Sequence, residues 1–135
     1  MSRYEQLSVL VVDDDINLRT YMTTLLKSVG VKHIHIAAGK DDSDEIIGNH
    51  RIDGVFLDLV LQSESGLALG REFQEMDIPV IYCSGSTDEF NVNQMLEVGW
   101  VLTKPIRVGG IKRGLEQFLC HQQRCNDNTC KVRTL

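Results

Sequence analysis

The stretch that most constrains this chain is the apolar run Val55-Phe56-Leu57, set between Gly54 and Asp58. It is too short for a helix and rich in β-favouring side chains, so it reads as a strand buried on both faces. The run ends in the carboxylate of Asp58, and the chain then turns polar and reaches Gly66. In an open α/β sheet, ligands and chemistry gather in the crevice at the carboxyl ends of the strands. Asp58 stands where a reactive group would stand. A strand-end Asp can equally serve as a cap, so the decision rests on how the other strands end.

The rest of the chain supplies those strands. Leu7 to Val12 is a hydrophobic strand ending in Asp13-Asp14-Asp15. The spacing of Leu18, Met22, Leu25, Leu26 and Val29 predicts a helix, with Asp15 as N-cap and Gly30 as its stop. Val31 to Ala37 is expected to be a second strand with His33 and His35 on one face. Two histidines so spaced can chelate a metal, but an exposed polar face on an edge strand is the simpler reading. Asp41 to His50 reads as a short acidic helix with Ile46 and Ile47 inward. Gly66 to Met76 reads as another, with Leu69, Phe73 and Met76 inward and Gly70 as a weak point.

Pro79 opens a fourth strand, Val80 to Cys83, which ends at Ser84-Gly85. Ser86 and Glu89 have the spacing of a capping box for a helix running to Val98. Trp100 to Thr103 is a fifth strand, followed by Lys104-Pro105. Ile111, Leu115, Phe118 and Leu119 mark a last amphipathic helix. Five strands alternating with five helices imply an α/β fold, a parallel sheet covered on both faces. Residues 1–120 make one domain, and 121–135 are expected to be a loose tail or linker.

Composition narrows the function classes. A chain of 135 residues with 42% hydrophobic and 24% charged residues is an ordinary single globular domain. The net charge of −5 gives no support to a nucleic-acid partner. No apolar run approaches a membrane span and the first residues lack a signal-peptide core, so a cytoplasmic protein is expected. Cys83 reads as a small buried residue. Cys120, Cys125 and Cys130 recur every five residues and would not share a helix face, so reduced thiols are expected in preference to a zinc site.

In a parallel sheet, Asp13, Asp14, Asp58, Ser84 and Lys104 converge on one rim. Three carboxylates so placed repel one another, and one lysine does not balance them. A hard divalent cation completes the balance, and oxygen ligands with open water positions suit Mg²⁺. Phosphoryl transfer fits this set: a cation and a lysine neutralise the moving phosphoryl oxygens, and a carboxylate can become an aspartyl phosphate. Any one of these residues taken alone has a structural explanation. Four strand ends together do not.

On these segments the chain resembles the receiver domain of two-component response regulators. The matching pieces are Val11-Val12-Asp13-Asp14-Asp15, Val55-Phe56-Leu57-Asp58-Leu59, Pro79 through Gly85, and Thr103-Lys104-Pro105. The resemblance implies a flavodoxin-like, doubly wound sheet of order 2-1-3-4-5 with five helices. It implies that Asp58 is the phosphoacceptor, served by a sensor histidine kinase or a histidine phosphotransfer protein. Mg²⁺ would lie between Asp14 and Asp58, with Asp13 through water and the backbone carbonyl of Val60. Ser84 and Lys104 would contact the phosphoryl group, Gly85 would leave it room, and Pro105 would form a cis or rigid turn.

An output domain or downstream protein, and a homodimer through the last strand and last two helices, are further expectations of the family. The chain departs from the family pattern at Val101, where an aromatic is usual, and at Gln62, where proline is common. The Ser84 to Lys104 interval is also about two residues short. Two rival readings are a pseudo-receiver that takes no phosphate and a haloacid-dehalogenase-like phosphatase. The second wants an Asp two residues after the nucleophile, where this chain has Val60.

Overall fold

The computed structural model describes residues 3–62, 64–85 and 100–122. Five parallel strands form one sheet in the order β2-β1-β3-β4-β5: β1 (Ser8–Val12), β2 (His33–Ala37), β3 (Gly54–Asp58), β4 (Val80–Ser84) and β5 (Trp100–Thr103). The four helices among the described residues are α1 (Ile16–Ser28), α2 (Lys40–Asn49), α3 (Gly66–Glu75) and α4 (Val108–Gln122). The further helix expected to end at Val98 lies outside the described residues.

The period-2 alternation of each strand divides the core in two. Val9, Val11, Phe56, Ile81, Cys83 and Leu102 face one side, where Met22 and Leu26 of α1 and Ile111, Leu115 and Phe118 of α4 cover them. Leu10, Val12, Val55, Leu57, Val80 and Tyr82 face the other, under Leu69 and Phe73 of α3. β3 and β4 are buried at every residue, as their continuous apolar runs require. Trp100 packs on the first side and Val101 on the second, opposite faces as strand geometry demands.

Helix ends follow local chemistry. Asp15 caps α1, its carboxylate accepting from the Asn17 N–H at 2.8 Å, and Gly30 leaves the helix at φ 99°. Ser65 caps α3 by accepting from the Ala68 N–H at 3.2 Å. The edge position of β2 agrees with its half-polar sequence, and the strand begins at His33, two residues later than expected.

Three expectations are corrected. Met76 does not point inward: it is the C-cap of α3 and is 46% exposed, because the helix has already ended at Glu75. The last helix continues through His121 and Gln122, where the imidazole of His121 meets the Asp77 carboxylate at 3.2 Å. Cys120 is disulfide-bonded and not a reduced thiol. Bridging depends on two Cβ atoms coming within about 4 Å, which spacing along the chain does not reveal.

Gly70 has a tertiary explanation. A Cβ there would stand 2.6 Å from the ring of Tyr82, so the helix gives up propensity to let a buried aromatic ring lie beneath it. On the opposite side α4 approaches the sheet closely for a similar reason. A Cβ on Gly114 would lie 2.9 Å from the Phe56 ring, and one on Gly54 would fall inside the van der Waals envelope of Phe118. The two phenylalanine rings meet edge-on, with centroids 5.2 Å apart.

Candidate functional site

Register brings the strand ends level. Val12 pairs with Leu57, Asp58 with Cys83, and Ser84 with Thr103, so Asp13 after β1, Asp58 at the end of β3 and Lys104 after β5 share one rim. Carboxylate oxygens of Asp13, Asp14 and Asp58 lie within 4.8 Å of one another. Lys104 Nζ stands 3.3 Å from Asp58 Oδ1 and 3.8 Å from Asp13 Oδ2. Asp13 and Asp58 are buried and Asp14 is half-buried, so the cluster opens toward solvent on the Asp14 side.

Backbone amides hold each acid in place. Asp13 accepts from the Asp15 N–H at 2.9 Å, Asp58 from the Val60 N–H at 3.1 Å, and Asp14 from the Gln62 N–H at 2.6 Å. The last bond reaches across from the segment after β3 to the one after β1, and was invisible in the sequence. Arg19, a turn into α1, donates to the Asp13 carbonyl at 2.8 Å. Gly66 is required where it stands: a Cβ would lie 2.6 Å from the Leu59 carbonyl oxygen, so α3 begins hard against the segment that carries Asp58 and Val60. Val60 itself is exposed and bridges to Ser65.

Ser84 is buried, and its carbonyl accepts from the Lys104 N–H at 2.7 Å, which ties the end of β4 to the lysine. Gly85 is exposed, and a Cβ there would meet Lys104 Cδ at 3.9 Å, an ordinary contact. The Lys104–Pro105 peptide is cis. Behind the acids is a cavity of about 90 Å³, walled by Met22, Phe56 and Ile106 and reaching Asp58 and Lys104. Tyr21 closes one side by donating to the Ile106 carbonyl at 2.6 Å. The sequence offered one signal for Tyr21, an aromatic beside the core position Met22.

Burial raises the Asp13 carboxyl above the ordinary carboxylate range; the Asp15 amide opposes this, the Asp58 charge adds to the rise, and Lys104 opposes it. Burial likewise pushes the Cys83 thiol up to about 12, leaving it protonated and inert beside the acids. Three carboxylates facing one ammonium leave two negative charges in excess. A hard-oxygen donor set with that excess fits a small divalent cation.

Residues 9–116 match the response regulator receiver domain family, four-fifths of the chain. The chain belongs to that family. It is 30% identical over 104 residues to the phosphate regulon transcriptional regulatory protein PhoB of Pseudomonas aeruginosa, covering 73% of this chain and 45% of that protein. It is 30% identical over 129 residues to the transcriptional regulatory protein LytR of Staphylococcus aureus, covering 93% and 52%. The receiver chain therefore spans about half the length of these curated relatives.

Among solved structures, a response regulator receiver domain from Clostridium thermocellum superposes with a TM-score of 0.76 at 20% identity, covering 87% of this chain and 98% of that one. A CheY-like receiver from Methylobacillus flagellatus gives 0.73 at 22%, covering 83% and 98%. At these identities the likeness is one of fold. The receiver family is a family of signalling switches and not of conventional enzymes, and its members bind Mg²⁺ at an acidic pocket.

Proposed function

We propose that this receiver takes a phosphoryl group on Asp58 from the phosphohistidine of a sensor histidine kinase or histidine phosphotransfer protein. The observation that carries the reading is the placement of Asp58 Oδ1 3.3 Å from Lys104 Nζ, within an acid triplet at a strand-end rim. A carboxylate oxygen of Asp58 attacks phosphorus, the P–N bond to the donor imidazole breaks, and the electron pair leaves with that nitrogen, which is protonated. Lys104, already between Asp13 and Asp58, supplies positive charge to the phosphoryl oxygens as they move. Ser84 and Gly85 line the place where the group arrives.

Asp14, Asp58 and the Val60 carbonyl would hold the cation, and Asp13 would reach it through water. When bound, Mg²⁺ neutralises charge that three carboxylates and one ammonium leave uncompensated. The same reading carries a cytoplasmic location, an output domain or downstream protein, and a homodimer through β5 and the last two helices. Contact with nucleic acid is left to an output partner.

The test is incubation with acetyl phosphate and Mg²⁺ followed by intact mass. One added phosphoryl group that Asp58→Asn abolishes is expected. No mass gain, under conditions that label another receiver, would favour a pseudo-receiver that signals by contact alone.

A further inference from the structure

The histidines of β2 have a partner that the sequence did not indicate. His33 and His35, two apart on a strand, project from the same face, opposite Ser8 and Leu10 in register. His50 follows α2 and is held in extended conformation (φ −140°, ψ 145°), its N–H donating to the Ile46 carbonyl at 2.8 Å. That places its ring against His35, centroids 4.5 Å apart and planes tilted by 36°. Of the four histidines in the chain, His35 and His50 meet at one edge of the sheet, away from the acid rim, and His33 lies two residues along the same strand face; the nitrogens of the three rings do not converge as they stand. His121, the fourth, is engaged with Asp77.

We propose that His33, His35 and His50 form a binding site for a late first-row divalent cation, with Zn²⁺ the natural occupant. Imidazole nitrogen suits Zn²⁺, Ni²⁺ and Cu²⁺ and is a poor donor for Mg²⁺, so this site and the acid rim select different metals. Three histidines fill three corners of a tetrahedron at about 2.0–2.1 Å and leave the fourth to water. His33 is exposed and His35 only partly buried, so the His35 ring can turn away from its tilted contact with His50, and the His33 ring toward it, without disturbing the core. Burial and the neighbouring His50 and His33 hold the pKa of His35 below its usual value, which favours the neutral ring that a metal needs. A metal here would tie the edge strand β2 to the connection between α2 and β3.

The experiment is a ¹H–¹⁵N correlation of the imidazole rings in the full chain, titrated with Zn²⁺ in excess Mg²⁺. Ring signals of His33, His35 and His50 should move together and saturate, while those of His121 stay in place. His35→Asn should weaken the apparent affinity by at least about tenfold, the lower end of what even outer-sphere partners cost. His33→Asn, at an exposed position, should do the same without loss of the native melt. His121 moving in step with the other three, or either variant titrating like the parent, would overturn the proposal. Because the readout is the histidine rings and not phosphorylation, its failure is distinguishable from failure at Asp58.

Discussion

The two faces of the sheet are covered in different ways. On one, α4 presses down through Gly110, Gly114 and the Gly54 below it, and Phe118 sits with no exposed surface against Phe56. On the other, α2 buries only Ser43 completely, and its Ile46 and Ile47 are partly covered. What else holds α2 is polar: Lys40 reaches Glu72 at 3.0 Å and Asp44 at 3.3 Å, exposed pairs that contribute little. The tight face carries the segment after Lys104, where small shifts would spoil the proposed phosphoryl site. The loose face carries the edge strand and its histidines. Close packing is concentrated where the proposed chemistry needs a fixed lysine.

The contrast can be broken most severely at Phe118. Phe118→Ala should cost about 3–5 kcal/mol in chemical denaturation. In that background Gly54→Ala should cost much less than it does alone, since the ring that excludes a Cβ is gone. Additive costs would mean that the glycine answers to backbone conformation and not to the ring.

Gly70→Ala tests whether the second face has a tight point of its own. Helix propensity alone would make this change stabilising by roughly 1 kcal/mol. The Tyr82 ring below it reverses the sign, and a loss of about 1–3 kcal/mol is expected. A thermal melt above that of the parent would show that α3 lifts off the sheet without penalty.

Ile46→Ala, on the loosely seated α2, should cost only about 1 kcal/mol, well short of Phe118→Ala, because the side chain is half-exposed already. A loss comparable to that at Phe118 would erase the difference between the faces. The smallest effect is expected at Tyr82, whose buried hydroxyl has no hydrogen-bond partner among the described residues. Tyr82→Phe removes an unsatisfied polar atom and keeps the ring, so stability should hold or rise by up to about 1 kcal/mol. A clear loss would place an ordered water on that hydroxyl.

Much of this molecule was readable before its fold was known. The strands announced themselves as short apolar runs, and the acids, serine and lysine were recognisable because each followed one. Met76 misled because a helical period continues on paper past the residue where the helix stops. Cys120 misled because a disulfide is decided by proximity in space. Gly70 looked like a local weakness, and its reason lay in Tyr82, twelve positions away in the chain and directly beneath it in the fold.

By itself the sequence determined the alternation of strands and helices, the burial of β3 and β4, the capping of α1 by Asp15, and which chemistry ends each strand. These follow from periodicity and neighbouring residues, which act over a few positions. Only the tertiary structure decided that three carboxylates meet within 4.8 Å and that Lys104 approaches Asp58 more closely than Asp13. It also decided that the Gln62 amide clamps Asp14, and that His50 packs against His35. Those contacts depend on strand register and on how closely helices approach the sheet, and both are set by packing between residues far apart in the chain.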